Sequence, residues 1–124
     1  MIRILLADDQ ALFRTALTSL LTLEPDFNVI AAVGRGDEVL PAAREHRPDI
    51  ALLDIEMPGG TGLDVCEPLR TELPEVRVII LTTVERPGYL RRAVDAGASG
   101  FVAKDAEPDA LAEAIRKVAQ GLHV

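Results

Sequence analysis

Five side chains carry most of the reactive potential of this sequence: Asp8, Asp9, Asp54, Thr82 and Lys104. Each stands at the end of a short apolar run. Ile2 to Ala7 leads into Asp8-Asp9, Ile50 to Leu53 into Asp54, Val76 to Leu81 into Thr82, and Gly100 to Ala103 into Lys104. Three carboxylates gathered in one place repel one another, so one or more stays protonated unless a cation enters. A hard divalent ion such as Mg²⁺ removes the conflict, because it takes oxygen ligands and commonly binds one or two carboxylates together with a phosphate. One acidic residue then serves as nucleophile toward a phosphoryl group while another holds the ion. A threonine hydroxyl and a lysine ammonium hydrogen-bond and neutralise the transferred oxygens. Each residue also has a plainer reading. Asp8 and Asp9 can cap a helix, Asp54 can open the turn before Met57-Pro58-Gly59, and Lys104 can be a solvated lysine. Their joint placement at four separate run ends favours phosphoryl chemistry.

The elements that must bring these residues together follow from periodicity. The apolar runs Ile2 to Ala7, Asn28 to Val33, Ile50 to Asp54, Val76 to Thr82 and Gly100 to Ala103 are strand candidates. Several are continuously apolar, as in a parallel sheet covered on both faces. Between them lie helix-period stretches at about 11–23, 37–46, 63–72, 86–96 and 108–119. Phe13, Leu17, Leu20 and Leu21 form an inward stripe on the first, and Leu111, Ile115 and Val118 on the last. Pro108 suits a first helical position, where a missing N–H costs nothing. Gly97 reads as the stop of the fourth helix. Pro41 and Pro68 fall inside the second and third stretches, where kinks or shifted helix starts are expected. The alternation predicts an α/β, doubly wound parallel sheet with its reactive residues at the carboxyl ends of the strands.

Composition narrows the partners. The 124 residues carry 20 acidic against 13 basic side chains, a formal charge of −7, which disfavours direct binding of nucleic acid or an anionic membrane by this domain. Cys66 is the only cysteine, so no intrachain disulfide or thiolate metal cluster forms. His46 and His123 are too few for a histidine zinc site. No stretch reaches the 18 or more apolar residues of a membrane helix, and a cytoplasmic chain is expected. The segment Asp54-Ile55-Glu56-Met57-Pro58-Gly59-Gly60-Thr61-Gly62 supplies a stiff proline and glycines for tight turns. It has neither the order of a P-loop nor that of a dinucleotide-binding loop.

The ordered set of Asp8-Asp9, Asp54 with Met57-Pro58 and Gly62, Thr82, and Ala96-Gly97-Ala98-Ser99-Gly100-Phe101 leading to Lys104 resembles response-regulator receiver domains of two-component signalling over essentially the whole chain. The resemblance implies a three-layer (βα)5 flavodoxin-like fold with strand order 2-1-3-4-5. It implies that Asp54 accepts a phosphoryl group from a phosphohistidine on a sensor histidine kinase. It also implies that Asp9 ligates Mg²⁺ directly, Asp8 mostly through water, and Glu56 through its backbone carbonyl, with Asp54 itself in the metal set. Thr82 and Lys104 would engage the phosphoryl oxygens, and Phe101, at the switch-aromatic position, would rotate inward. Departures from the family pattern are Asp105 in place of a proline after Lys104, and Thr83, Val84 and Glu56 beside the acyl phosphate, positions that tune its lifetime.

Phe13-Arg14, Pro48-Asp49, Thr82-Thr83 and the Val118 to Gly121 ending are similar to the branch with a LuxR-type helix-turn-helix output domain. Residues 1–124 then form one receiver domain without that output domain, and a fragment of a longer regulator is preferred over a stand-alone receiver. DNA would be contacted only through the missing part. Phosphorylation in this branch implies a homodimer, for which the first and fifth helices offer Ala11, Thr15, Thr18, Ala114 and Lys117. Two other classes remain open. An aspartyl-phosphate hydrolase usually has a second Asp where Glu56 stands, and a phosphorylation-independent interaction module would not need the five reactive residues.

Overall fold

The computed structural model describes residues 1–82 and 88–124. Strands β1 (Ile2–Ala7), β2 (Phe27–Val33), β3 (Ile50–Asp54), β4 (Arg77–Thr82) and β5 (Gly100–Ala103) alternate with helices α1 (Ala11–Thr22), α2 (Val39–His46), α3 (Gly62–Glu72), α4 (Tyr89–Asp95) and α5 (Pro108–Ala119). The strands form one parallel sheet in the order β2-β1-β3-β4-β5. Register pairs Ala7 with Leu53, Asp54 with Leu81, and Thr82 with Ala103. The strand ends carrying Asp8-Asp9 and Asp54 are therefore neighbours where the strand order reverses, and such a crevice is where ligands bind in these sheets.

Alternation of side chains across each strand explains the unbroken apolar runs. Leu5, Ala7, Ala51, Leu53, Val78 and Ile80 pack with Val39, Ala43, Leu63, Cys66, Leu69 and Ala93 on the face covered by α2, α3 and α4. Ile4, Leu6, Leu52, Ile79 and Leu81 pack with Leu17, Leu21, Ile115 and Val118 on the face covered by α1 and α5. With water excluded from both faces, neither can be polar. Leu20, expected in the inward stripe of α1, is 44% exposed at its edge, and Phe13 is half-buried.

The two prolines have different outcomes. Residues 36–38 form a 3-10 turn, and α2 starts at Val39, so Pro41 sits in its first turn where its missing N–H breaks no intrahelical bond. Helix α3 runs through Pro68 to Glu72. Its start is secured by a reciprocal cap, Thr61 accepting from the Asp64 amide at 3.1 Å and Asp64 from the Thr61 amide at 3.2 Å. Buried Leu63, Cys66 and Leu69 hold it to the sheet, and together these outweigh the one lost bond. Pro108 opens α5, and Gly97, at φ +94, follows the end of α4. The first residues of the expected 86–96 helix, with Thr83 and Val84, lie outside the described residues. Ala114, named above with the dimer surface, is 8% exposed, because the buried side of α5 includes Leu111, Ala112 and Ala114 besides Ile115 and Val118. Ala114 is therefore part of the core margin and not of an outer face.

Candidate functional site

At the edge of the sheet, Asp8, Asp9 and Asp54 each present a carboxylate oxygen, and the three oxygens lie within 4.8 Å of one another. Asp8 is fully buried, Asp54 nearly so, and Asp9 exposed. Neither Asp8 nor Asp9 caps α1: Gln10 occupies that position, and its amide donates to Asp8 Oδ1 at 2.8 Å. Lys104 reaches in from the end of β5 with its side chain 4% exposed. Its ammonium lies 2.7 Å from Asp8 Oδ2 and 3.5 Å from Asp54 Oδ2, donates to Gln10 Oε1 at 2.6 Å, and sits 4.3 Å from the centre of the Phe13 ring. The plain reading of Lys104 as a solvated lysine is thereby excluded.

Burial, and then the neighbouring Asp8 charge, push the Asp54 carboxyl up from 3.8 to about 6, while Lys104 and the Glu56 amide pull the other way. The site holds two negative charges in excess when all three acids are ionised. Asp8 Oδ2 is close to the Lys104 ammonium but is not aligned to accept a hydrogen bond from it, and it has no other partner among the described residues. A buried carboxylate oxygen without a hydrogen bond, in a cluster of hard oxygen donors, fits a divalent cation.

The backbone around Asp54 is held by close approaches. Gly62 opens α3 so near the strand end that a Cβ there would stand 2.4 Å from the Asp54 carbonyl oxygen. The loop between them is tied to the β2–α2 connection by the Gly36 amide donating to Pro58 O at 2.9 Å. Gly59 and Gly60 take positive φ, as expected of this segment, and the Glu56 side chain is exposed.

Thr82 is buried at the end of β4, one residue beyond the register partner of Asp54, and its carbonyl accepts from the Lys104 amide at 2.8 Å. Strand alternation puts Thr82 on the α2–α4 face with Ile80, the register partner of Phe101. Phe101 is half-buried against that same layer. The residues selected from the sequence thus divide: the acids and Lys104 gather at the crevice, Thr82 stands beside it, and Phe101 lies away from the carboxylates. On the outer surface Ala11, Thr15 and Lys117 are exposed, and Thr18 is half-buried with its hydroxyl donating to Arg14 O.

Three contributors are not evident from the sequence. Gln10 and Phe13 both hold the Lys104 ammonium, and Arg14 Nη1 donates to the Asp8 carbonyl at 2.5 Å. Their position in the first turn of a helix that starts directly after the acidic pair is the one signal that points to them.

Comparison with known proteins agrees with this geometry. The response regulator receiver domain family model matches residues 4–116. The chain is 49% identical over its full length to an uncharacterized transcriptional regulatory protein, YvfU, and 42% identical to the transcriptional regulatory protein DesR, both of Bacillus subtilis. It spans 62% and 61% of the length of those two relatives. The receiver domain of a response regulator, NarL, from Mycobacterium tuberculosis superposes with a TM-score of 0.93 at 32% identity, covering 97% of each chain. No helix among the described residues is long and apolar enough to cross a membrane. With the 2-1-3-4-5 sheet, the acidic cluster at its edge and these matches in agreement, the chain belongs to the response regulator receiver domain family.

Proposed function

We propose that the domain is a Mg²⁺-dependent phosphoacceptor switch in which Asp54 takes a phosphoryl group from a phosphohistidine of a sensor histidine kinase. The observation that carries this reading is the meeting of three carboxylates within 4.8 Å beside a buried lysine ammonium. An ionised Asp54 oxygen attacks phosphorus, the new O–P bond replaces the P–N bond to imidazole, and the electron pair leaves on the histidine nitrogen. Asp8, Asp9, Asp54 and the Glu56 carbonyl would hold the ion. When bound, Mg²⁺ supplies the positive charge that lets a carboxylate and an anionic phosphoryl group approach.

The residues of the chain account for the rest. Above about pH 6 Asp54 is ionised and nucleophilic. Lys104, 3.5 Å from Asp54 Oδ2, pairs with a phosphoryl oxygen after a small displacement. Thr82 offers its hydroxyl to another, and Phe101 turns inward behind it, so added charge biases a two-state element. The exposed Ala11 and Thr15 side of α1, with Lys117 on α5, supports a homodimer contact on activation. Relatives of greater length whose names describe transcriptional regulators support a DNA-binding output domain beyond this receiver.

The test is uptake of one phosphoryl group from acetyl phosphate, followed by intact mass. Labelling is expected with Mg²⁺, and none with chelator or in Asp54→Ala. A wild-type chain that stays unlabelled with Mg²⁺ present would leave a phosphorylation-independent interaction module as the better account.

A further inference from the structure

Asp9 is the exposed member of the acidic cluster, and its carboxylate makes no hydrogen bond or ion pair among the described residues. Its place is therefore set by its backbone, and Asp8 and Asp54 repel it there. The peptide unit joining Asp8 to Asp9 is held at its oxygen by Arg14, whose Nη1 donates to the Asp8 carbonyl at 2.5 Å. On the near side the Asp8 amide donates to Val33 O at 3.0 Å, and on the far side the Gln10 amide donates to Asp8 Oδ1 at 2.8 Å. Among the described residues no side chain besides Arg14 bonds that carbonyl, and Arg14 reaches it from the first turn of α1.

The guanidinium has a berth made for it. A Cβ on Gly34, just past β2, would stand 3.0 Å from Arg14 Nη1 and 3.6 Å from its Cζ. Gly34 does not take a positive φ, so its backbone would accept an ordinary residue. What the missing side chain provides is room for Arg14.

We infer that Arg14, seated against Gly34, is a positioning residue for the metal site: by fixing the Asp8–Asp9 peptide it holds Asp9 in place for a divalent cation. This rests on the Mg²⁺ site of the proposed function. Electrostatics alone gives the opposite sign, because a positive charge next to a cation site weakens binding and its removal strengthens it. The direction of the effect therefore separates positioning from simple charge.

The experiment is a Mg²⁺ titration of the unphosphorylated chain by amide NMR shifts, suited to a protein without tryptophan. A parallel arm measures hydrogen exchange without metal of the Asp8 and Gln10 amides, the two hydrogen-bonded amides that flank this peptide. Arg14→Ala, Arg14→Lys and Gly34→Val are each expected to weaken Mg²⁺ binding by about tenfold, the lower end for supporting partners of metal ligands. They are also expected to speed exchange at Asp8 and Gln10 while leaving the shifts of α3 and α4 in place. Gly34→Val combined with Arg14→Ala should be no weaker than Arg14→Ala alone, since both cut the same link. The milder Gly34→Ala, expected to weaken binding severalfold in the same direction, serves if a larger change unfolds the chain. Unchanged or tighter Mg²⁺ binding in Arg14→Ala would overturn the inference, as would unchanged exchange at Asp8 and Gln10. If the wild type gives no Mg²⁺ response, the proposed function falls, and the exchange arm still decides whether Arg14 holds the Asp8–Asp9 peptide.

Discussion

Replacing Asp54 with asparagine keeps the size of the side chain and removes its charge, and the structure predicts that the domain becomes more stable without metal. Burial and the Asp8 charge raise the Asp54 carboxyl from 3.8 to about 6, so the folded state holds this proton to a higher pH than the unfolded chain does. The stability contributed by this group is complete below pH 3.8 and is lost as pH rises through about 6. At pH 7.5 the loss amounts to about 3 kcal/mol, since each tenfold change in proton affinity is worth about 1.4 kcal/mol. Asp54→Asn should recover up to that amount, raising the midpoint of thermal unfolding by about 10 °C for a domain of this size. At pH 5 much of the wild-type carboxyl is already protonated when folded, and the gain should shrink to about half. Asp26, Asp37 and Glu72, held low by Arg116, Arg35 and Arg44, lose their stabilisation as pH falls, but equally in both proteins. Urea unfolding followed by circular dichroism at pH 5 and 7.5, with chelator, measures the difference. A gain of the same size at both pH values, or a less stable variant at pH 7.5, would refute the attribution to buried charge.

Gly62→Ala places a methyl group against the Asp54 carbonyl, so the end of β3 must shift. It should destabilise by about 1–3 kcal/mol and slow labelling by acetyl phosphate, read as an initial rate under conditions where the variant is folded. Lys104→Met leaves the buried Asp8 carboxylate without its cation, and metal-free stability should fall by about 3 kcal/mol. Added Mg²⁺ should restore part of that loss in a denaturant titration, because binding to the folded state alone stabilises it. Ala11→Arg puts a charged chain on the exposed side of α1, and sedimentation equilibrium of the phosphorylated protein should show a smaller dimer fraction. An unchanged fraction would remove this face from consideration.

The strands and the acidic positions are legible in the sequence because each reactive residue interrupts an apolar run at its end, and both faces of the sheet demand continuous apolarity up to that point. Strand order and register are not readable from periodicity, and the order comes from likeness to receivers. Local rules do not foresee that α3 continues through Pro68, where the Thr61–Asp64 cap and the burial of Cys66 and Leu69 outweigh a single missing bond. Helical spacing finds Leu111, Ile115 and Val118 on α5 but not the buried Ala112 and Ala114 beside them, since three large anchors define the centre of a buried stripe and not its width. Phe13 reads from its spacing only as core. Its second role, under the Lys104 ammonium, needs two elements 91 residues apart in sequence to meet in space, and no local pattern encodes that.

The alternation of β3, β4 and β5 has a consequence for how a signal leaves the crevice. Asp54 and Lys104 extend the strand positions that face α1 and α5, whereas Thr82 and Phe101 belong to the positions that face α2 to α4. Under the proposed function, a charge added at one Asp54 oxygen would meet two helical layers with separate cores, one through an ammonium and the other through a hydroxyl and a ring. Such a message would be duplicated at its source, so damage to either layer would silence one outlet and leave the other able to respond.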